Sequence, residues 1–197
     1  MRIILIRHGQ TEWNALMKYQ GQTDIDLNKV GREQAQRLAR YFAEQGTEIE
    51  ALYCSDLSRC RETAEIIGKE VGLKPILDTS FREINFGCWE GLTHTEVIRQ
   101  YNREYDDWVH RTLQFQIAGG ESVQDVLERC LPGIHHIAGN HQGTIIVVTH
   151  GGLIKILLNH LGLPEEEWKT YLHSGSMTTL EYKENEFIPI EIGLTVD

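Results

Sequence analysis

Two apolar stretches of the chain share one pattern of hydrophobic and polar positions. Residues 3–6 (IILI) and 145–148 (IIVV) are uninterrupted aliphatic runs, and one residue after each comes a histidine followed by a glycine, at His8 and His150. Such runs are typical of central strands in a parallel sheet that helices cover on both faces. Because open α/β sheets bind ligands at the carboxyl ends of their strands, we expect both histidines at one site.

The rest of the chain alternates helical periodicity with short apolar runs. Helices are predicted over residues 31–45, 57–71, 122–138 and 152–161 and, as a short helix, after Pro164. Further strands are predicted at residues 52–55, 75–77, 177–182 and 187–192. Ser122 and Asp125 fit a capping box at the start of the third helix. Residues 92–118 are polar and aromatic, which favours a helical excursion or a lid over the site.

Composition narrows the class of protein. The 197 residues, 41% of them hydrophobic, suffice for one compact domain. The 29 acidic residues outnumber the 19 lysines and arginines, and the formal net charge of -10 argues against nucleic acid or an anionic membrane as the partner. No stretch approaches the roughly 20 apolar residues of a membrane span and the N-terminal apolar run is too short for a signal segment, so we expect a cytoplasmic protein. The four cysteines have no CxxC spacing, and we expect reduced, mostly buried thiols.

The tripeptide Arg7-His8-Gly9 is the first candidate for chemistry. A guanidinium offers a planar fork of donors suited to phosphate, and an adjacent imidazole can act as a nucleophile or a base. The glycine would let backbone amides approach an anion closely. The alternative is a charged pair that is simply solvated at the rim of the sheet.

A second group of candidates lies in SDLSRCRETA, residues 55–64. If Ser55 caps the following helix, Arg59 falls in the first turn, where its side chain can point towards the same rim and the free amides add positive potential. Arg61 lies about 200° further around the helix and would ordinarily be a surface residue. Spacing alone does not decide between the two arginines.

The third group is FREINFGCWEG, residues 81–91, which contains two candidate acids. Glu83 stands among apolar residues such as Phe81 and Trp89, and apolar surroundings disfavour the carboxylate anion, as a general acid requires. Glu90 competes for this role.

Metal binding is not expected. His135, His136 and His141 lie on a helix or at its end without the HExxH arrangement of a zinc site, and a partly exposed helical face explains them better. Arginines near the strand-end histidines would also repel a divalent cation. We therefore expect neither a metal nor another cofactor.

Taken in order, RHGQTEWN, SDLSRCRETA, REINFGCWEG and VVTHGG resemble the histidine phosphatase superfamily, also called the phosphoglycerate mutase-like family. The resemblance covers residues 1–197 as a single domain, with residues 92–118 as the candidate helical lid. It implies an α/β fold, a three-layer sandwich whose mostly parallel central sheet has one antiparallel strand and helices on both faces.

The resemblance also assigns roles. His8 becomes the nucleophile, Glu83 the proton donor and then acceptor, and Arg7, Arg59 and His150 complete the phosphate pocket. The positions that match substrate contacts are Asn14, Gln20, Gly21, Gly151 and Arg61.

The activity implied is metal-independent hydrolysis of a small-molecule phosphate ester through a phosphohistidine, with a homodimer as the candidate assembly. FGCWEG and the downstream GGES resemble alpha-ribazole phosphatases and related broad-specificity phosphatases. Mutases of the family carry basic residues after the acid. Residues 92–118 of this chain instead contain aromatic side chains and scattered arginines, a composition that favours an apolar or ring-bearing leaving group. These residues are Tyr101, Tyr105, Trp108, Arg99, Arg103 and Arg111. Phosphoglycerate mutase and an inactive binding module of the same fold are the alternatives.

Overall fold

A computed structural model of the protein describes residues 1–110, 113–164 and 171–196. In chain order its strands are β1 (Arg2–Arg7), β2 (Ile49–Cys54), β3 (Ile76–Leu77), β4 (Thr144–Thr149), β5 (Met177–Lys183) and β6 (Glu186–Leu194). Its α-helices are α1 (Glu12–Ala15), α2 (Lys29–Gln45), α3 (Ser58–Val71), α4 (His94–Gln100), α5 (Asn102–His110), α6 (Val123–Asn140) and α7 (Gly151–His160). Short 3-10 turns span Thr79–Phe81 and Gly87–Trp89.

The strands form one six-stranded sheet in the order β3-β2-β4-β1-β5-β6. β1, β2, β3 and β4 pair in parallel, with Ile3 opposite Ile145 and Arg7 opposite Thr149 at the two central strands. β5 runs antiparallel to both of its neighbours. It is therefore the one strand of reversed direction, and the predicted mostly parallel sheet with one antiparallel strand is confirmed.

Helices cover both faces of the sheet, because the two central strands are apolar on both sides. Ile3, Leu5 and the strand residues facing the same way pack against α6 and α7. Ile6 and its counterparts on the other face pack against α2 and α3. The apolar stripe predicted for α2 is buried as expected and consists of Ala35, Leu38, Ala39 and Phe42. The three-layer sandwich is thus confirmed.

Residues 92–118 contain α4 and α5 and contribute to a third apolar cluster around Trp89. Val97 of α4 is fully buried there, and the rings of Tyr105 and Trp108 lie about 6.0 and 5.7 Å from that of Trp89. The predicted helical excursion is present in the described part of this segment, and its aromatic residues serve to anchor it. Arg111 lies outside the described residues.

The ends of the helices and strands differ from the predictions by a few residues, and the N-terminus of α3 is capped by a different residue from the one predicted. Ser122 and Asp125 form the predicted capping box at α6. Ser55, however, does not cap α3, which has Leu57 at its N-cap position without a side-chain cap. Asp24 supplies acceptors there instead, to the amide and the hydroxyl of Ser58 at 2.8 and 2.7 Å. The short helix predicted after Pro164 falls on residues 165–170, which lie outside the described residues.

Two further expectations concern the cysteines and membrane-spanning segments. The free thiols of Cys54, Cys60 and Cys130 are buried and that of Cys88 is exposed. Across the described ranges, no helix is long and apolar enough to span a membrane.

Candidate active site

A cavity of about 220 Å³ opens where β1 and β4 end and α7 begins. Its lining comes from the end of β1, from α1 and the loop after it, from the start of α3, from the loop after the first 3-10 turn, from α7, and from residues that precede β5. The sequence-predicted residues that line it are Arg7, His8, Asn14, Gln20, Gly21, Arg59, Glu83 and Gly151. The cavity thus lies at the carboxyl ends of the parallel strands, where open α/β sheets bind their ligands.

His8 is buried, with 3% of its surface exposed, and its Nδ1 lies 2.7 Å from the carbonyl oxygen of Gly9. A carbonyl oxygen only accepts hydrogen bonds, so Nδ1 carries the proton and Nε2 keeps its lone pair. Burial, followed by the charges of Arg59 and Arg7, holds the pKa of His8 well below its ordinary value. His8 is therefore neutral with Nε2 as its nucleophilic nitrogen.

Gly9 serves packing rather than anion approach, which corrects the interpretation made from the sequence. Its amide donates to Thr63 Oγ1 at 3.1 Å. A side chain at Gly9 would meet the carbonyl oxygen of Gly31 at 2.3 Å, so the absence of one allows the loop after β1 to lie directly on α2.

Arg59 is fully buried in the first turn of α3, and its guanidinium is held by backbone carbonyls. Its Nη2 and Nη1 donate to the carbonyl oxygens of Gly21 and Thr23 at 2.6 and 2.9 Å. Gly21 has φ +54°, the left-handed region that suits glycine, which turns its carbonyl towards the guanidinium. The loop after α1 therefore fixes the position of the arginine.

Glu90 ties this loop to the segment that carries the candidate acid. Its carboxylate accepts from the amides of Gln22, Thr23 and Phe86 at 2.9, 2.9 and 3.1 Å, and from the hydroxyl of Thr23. Glu90 does not line the cavity. With its oxygens committed to these donors, Glu90 is a structural clamp, and Glu83 is the carboxylate that faces the cavity.

Glu83 lies on the N-terminus of α7. Its Oε2 accepts from the amide of Gly152 at 3.0 Å, and its Oε1 accepts from the amides of Leu153 and Ile84 at 2.9 and 3.0 Å. Amide donors and a helix N-terminus stabilise an anion. The sequence indicated apolar neighbours but not these donors, which come from residues far along the chain. A side chain at Gly152 would lie 2.5 Å from Glu83 Oε1, so the glycine makes the contact sterically possible.

His150 is fully buried behind His8, and the two rings are 5.2 Å apart between centroids. Its Nδ1 lies 3.3 Å from Nε of Arg59, which is always a donor, so the proton of the neutral ring is on Nε2. That nitrogen lies 3.3 Å from Cys60 Sγ. Burial, then Arg59 and His8, holds the pKa of His150 well below its ordinary value. His150 thus buttresses Arg59 and is not among the residues that line the cavity.

Arg7 and Gln20 present polar atoms to the cavity. Arg7 Nη1 donates to the carbonyl of Leu172, and the guanidinium lies 5.9 Å from the ring centroid of Tyr171. Arg7 Nε and both amide atoms of Gln20 are buried and have no partner among the described residues. Buried polar atoms without partners are costly, which points to a polar ligand. Asn14 uses Oδ1 to cap α1 by accepting from the amide of Thr11 at 3.1 Å.

Of the predicted site residues, two do not line the cavity: His150, which lies behind His8, and Arg61, which lies away from the site. Its side chain is 49% exposed and lies 3.9 Å from Glu65 on the outer face of α3. The surface interpretation of Arg61 was therefore the correct one of the two considered.

The aromatic residues chosen from the sequence do not line the cavity either. Tyr101, Tyr105 and Trp108 are partly buried in the cluster around Trp89, so they do not support the expected preference for an apolar or ring-bearing leaving group, which stays a prediction. Other side chains that the sequence analysis missed line it instead: Lys18, Tyr19, Phe86, Lys155 and Tyr171. Phe86 stands within FREINFGCWEG, where only the acids were considered, whereas Lys18, Tyr19, Lys155 and Tyr171 stand in no motif that marks them.

The three histidines considered for metal binding lie as the surface interpretation predicts. His135 and His136 are exposed on α6, and His141 follows that helix, with Nδ1 2.6 Å from Glu50. Within the described ranges, no group of His, Cys, Asp and Glu side chains is arranged to hold a metal ion.

Fold and cavity together define an α/β protein whose site places a neutral imidazole beside two arginines, and sequence comparisons identify its class. The model of the histidine phosphatase superfamily (branch 1) matches residues 3–194. Phosphoglycerate mutase-like protein 4 of Arabidopsis thaliana is 39% identical over 158 residues, covering 79% of this chain and 68% of that protein. Glucosyl-3-phosphoglycerate phosphatase of Mycolicibacterium vanbaalenii is 37% identical over 176 residues, covering 85% and 77%.

Solved structures agree. Mycobacterial glucosyl-3-phosphoglycerate phosphatase in complex with VO3 superposes with a TM-score of 0.87 at 29% identity, covering 98% of this chain and 99% of that one. A putative alpha-ribazole-5'-P phosphatase from Escherichia coli gives a TM-score of 0.84 at 25% identity, covering 100% and 98%. The chain belongs to the histidine phosphatase superfamily, as the resemblance predicted. It is a phosphatase of that type.

Proposed function

We propose that this protein hydrolyses small-molecule phosphomonoesters, without a metal ion, through a phosphohistidine on Nε2 of His8. The observation that carries the proposal is the hydrogen bond from His8 Nδ1 to the Gly9 carbonyl, 2.7 Å long. It leaves the lone pair on Nε2, and the depressed pKa keeps the ring neutral. A neutral, oriented imidazole is ready to attack phosphorus.

In the first step, Nε2 of His8 forms a bond to phosphorus while the ester P–O bond breaks. Glu83 must enter this step protonated, because it gives its proton to the departing alkoxide and releases an alcohol. In the second step, water attacks the phosphohistidine, the carboxylate of Glu83 takes the proton, and the P–N bond breaks to release inorganic phosphate. The amides of Gly152 and Leu153 stabilise the carboxylate that exists between the two steps.

Arg7 and Arg59 supply the positive charge that phosphoryl transfer requires. The unpartnered Nε of Arg7 and the amide of Gln20 offer donors to phosphate oxygens. His150 contributes by holding Arg59 through the contact of 3.3 Å with its Nε. Two fixed guanidinium groups next to the nucleophile do the work for which other phosphatases recruit metal ions.

The size of the cavity favours a small substrate, because about 220 Å³ is below the range of pockets that enclose drug-sized ligands. Alpha-ribazole phosphate stays a candidate on the strength of the motifs and of the E. coli neighbour. A phosphoglycerate derivative is supported by the name of the Mycolicibacterium relative. Phosphoglycerate mutase activity is the second candidate, and the names of two relatives favour it.

A panel assay of the purified protein with EDTA separates these candidates. Its substrates are alpha-ribazole phosphate, phosphoserine, para-nitrophenyl phosphate, and 3-phosphoglycerate with 2,3-bisphosphoglycerate. We expect release of inorganic phosphate that EDTA does not reduce and that the His8→Ala variant lacks. Interconversion of phosphoglycerates without phosphate release would establish a mutase. Ligand binding without turnover, unchanged in His8→Ala, would establish the binding module.

A further inference from the structure

The GGES stretch, residues 119–122, has no role in the proposed chemistry, although it lies directly on the segment that carries the acid. The amide of Glu121 donates to the carbonyl oxygen of Asn85 at 2.8 Å, and Glu121 Oε2 accepts from the amide of Asn85 at 2.8 Å. A side chain at Gly120 would meet that carbonyl oxygen at 2.3 Å, so the glycine permits the close approach. Glu121 therefore holds both main-chain polar groups of Asn85, two residues after Glu83.

Arg129 of α6 holds the main chain of Glu83 itself. Its Nη1 donates to the carbonyl oxygen of Ser80 at 2.8 Å, and its Nη2 donates to that of Glu83 at 3.0 Å. Gln22 Nε2 donates to the same Glu83 oxygen at 3.2 Å. Nε and Nη2 of Arg129 also donate to Oε1 and Oε2 of Glu121 at 2.9 and 3.0 Å, a bidentate ion pair. One guanidinium thus joins Glu121 and α6 to the segment of the acid.

The ion pair of Arg129 and Glu121 is largely buried but lies outside the cavity. The two side chains are 21% and 20% exposed, and neither lines the cavity, so neither touches the substrate. The nucleophile and the two arginines of the phosphate site make no hydrogen bond with the pair among the described residues. The pair therefore acts on the acid segment and not directly on the phosphate site.

The position of the Glu83 main chain affects its chemistry. The amides of Gly152 and Leu153 hold the ionised carboxylate from α7, but they do not fix the main chain from which the side chain extends. A general acid must come within about 2.6–3.2 Å of the oxygen that it protonates. A misplacement of about 1 Å can cost about 100-fold in rate. Proton transfer from Glu83 therefore depends on the contacts that hold its main chain.

We propose that Arg129 and Glu121 are positioning residues for the general acid. Their ion pair holds the main chain of Glu83 where its carboxyl group reaches the leaving-group oxygen. This inference rests on the proposed hydrolysis, since it concerns the acid of the same reaction.

A second route from Arg129 to the site is electrostatic. Its charge contributes to the lowered pKa of His150, which contacts Arg59. An effect by that route would reach the phosphate group and reduce the hydrolysis of every ester alike. A displaced acid would instead slow only those esters whose leaving group needs a proton. The dependence on the leaving group therefore distinguishes positioning of Glu83 from a general disturbance of the site.

The test compares sn-glycerol 3-phosphate, an alkyl ester, with para-nitrophenyl phosphate, whose phenolate leaves unaided. The quantity is kcat/KM, which reports the steps up to the phosphohistidine. We expect Arg129→Met to lower it about 10–100-fold for glycerol phosphate and less than about threefold for para-nitrophenyl phosphate. Glu121→Gln, which keeps an acceptor for the Asn85 amide, should show the same selectivity with smaller losses.

The matched control is Arg32→Met, which removes another bidentate Arg–Glu pair. Nε of Arg32 lies 2.6 Å from Oε1 of Glu62, and this pair joins the outer surfaces of α2 and α3. Because the pair is exposed and far from the acid segment in sequence, we expect changes below about twofold on both esters.

A double-mutant cycle shows whether Arg129 acts through Glu83. In the Glu83→Gln background, Arg129→Met should lower kcat/KM for glycerol phosphate by less than about threefold further, because residues that act as a unit are not additive. Additive losses, or equal losses on the two esters in Arg129→Met alone, would overturn the positioning role. If thermal unfolding shows that Arg129→Met does not fold, Arg129→Lys replaces it, because lysine keeps the charge without the fork. Equal losses on both esters in that variant would refute the role.

Failure of the inference and failure of the proposed function give different results. If Glu83→Gln is selective for the alkyl ester and Arg129→Met is not, only the positioning role fails. If Glu83→Gln itself lowers kcat/KM equally for both esters, the assignment of the acid fails and the positioning role with it. If the wild type hydrolyses neither ester, the proposed function is wrong, and there is no acid to position.

Discussion

The inner and outer ends of the cavity are built differently. At the inner end, His8, Arg59 and His150 are at most 3% exposed, and each is bonded to a backbone carbonyl or to a neighbour within the group. At the outer end, Lys18 and Lys155 are half-buried and Tyr171 is 66% exposed. Burial and internal hydrogen bonds therefore hold the inner end in one geometry, whereas the side chains of the outer end are partly solvated.

Substitution of His8, the proposed nucleophile, should give the largest effect, and the effect should be the same for every substrate. His8→Gln removes the lone pair at Nε2, and we expect kcat to fall at least about 10⁴-fold for alkyl phosphates and for para-nitrophenyl phosphate alike. Steady-state phosphate release with both substrates measures this. A loss confined to one substrate would show that His8 acts in recognition rather than in chemistry.

Glu83→Gln should separate substrates by their leaving groups. An alkoxide needs a proton in order to leave, so we expect kcat to fall about 10²–10⁴-fold for glycerol 3-phosphate but much less for para-nitrophenyl phosphate, whose phenolate leaves unaided. The decisive quantity is the ratio of the two losses. A ratio near one would remove Glu83 as the general acid.

Glu90→Gln is the matched control for that experiment, because it alters the neighbouring carboxylate that does not line the cavity. Its effect should reach Arg59 through the loop carbonyls of Gly21 and Thr23. We therefore expect losses of equal size on both substrates, about tenfold, together with a lower midpoint of thermal unfolding. Selective loss on the alkyl ester would instead assign acid catalysis to Glu90.

The free energy of unfolding should fall at acidic pH, because the two inner histidines are buried. Their pKa values are lowered in the folded protein by burial and by Arg59, whereas in the unfolded chain they are near the ordinary 6.5. Below pH 6.5 the unfolded state takes up protons that the native state does not. The stability present above that pH is therefore lost as pH falls, by about 1.4 kcal/mol per pH unit for each histidine.

Denaturant unfolding of the wild type and of His8→Gln between pH 5.5 and 7 isolates one of these contributions. The variant should show a smaller slope, and the difference should approach about 1.4 kcal/mol per pH unit only at the acidic end of this range, where the unfolded histidine is almost fully protonated. Identical slopes for the two proteins would mean that His8 takes up its proton equally in both states.

The smallest effect is expected at Arg61, on the outer face of α3. Arg61→Ala removes only an exposed contact with Glu65, so kcat/KM should change less than about twofold and stability by less than about 0.5 kcal/mol. Arg59→Lys, two residues away, keeps the charge but loses the fork that binds two carbonyls, and should lower kcat/KM strongly. Similar effects of the two substitutions would contradict the placement of Arg59 alone at the inner end.

The inner end was largely predictable from the sequence, because its residues stand next to strongly patterned elements. The strands before His8 and His150 are continuous apolar runs, and Arg59 falls in the first turn of a periodic helix. The contacts that decide roles were not predictable, because they join distant parts of the chain. Glu83 and Glu90 look alike in sequence, and only their amide donors distinguish them.

The outer end was mispredicted for a related reason. Tyr101, Tyr105 and Trp108 have the composition of a ligand-binding surface, but burying them against Trp89 gains more than exposing them at the cavity mouth. Lys18 and Lys155 carry no motif, and folding alone brings them to one cavity. Whether α4 and α5 move as a lid stays a prediction.

The central claim is that His8 carries the phosphoryl group, and the most direct measurement is to trap that intermediate. The Glu83→Gln variant, in which water attack on the phosphohistidine lacks its base, is mixed with para-nitrophenyl phosphate, quenched rapidly in alkali and digested for mass spectrometry. The account predicts one phosphoryl group per chain, stable in alkali and lost in acid, on the peptide that contains His8. Turnover without a phosphorylated peptide, or a phosphoryl group on another residue, would contradict it.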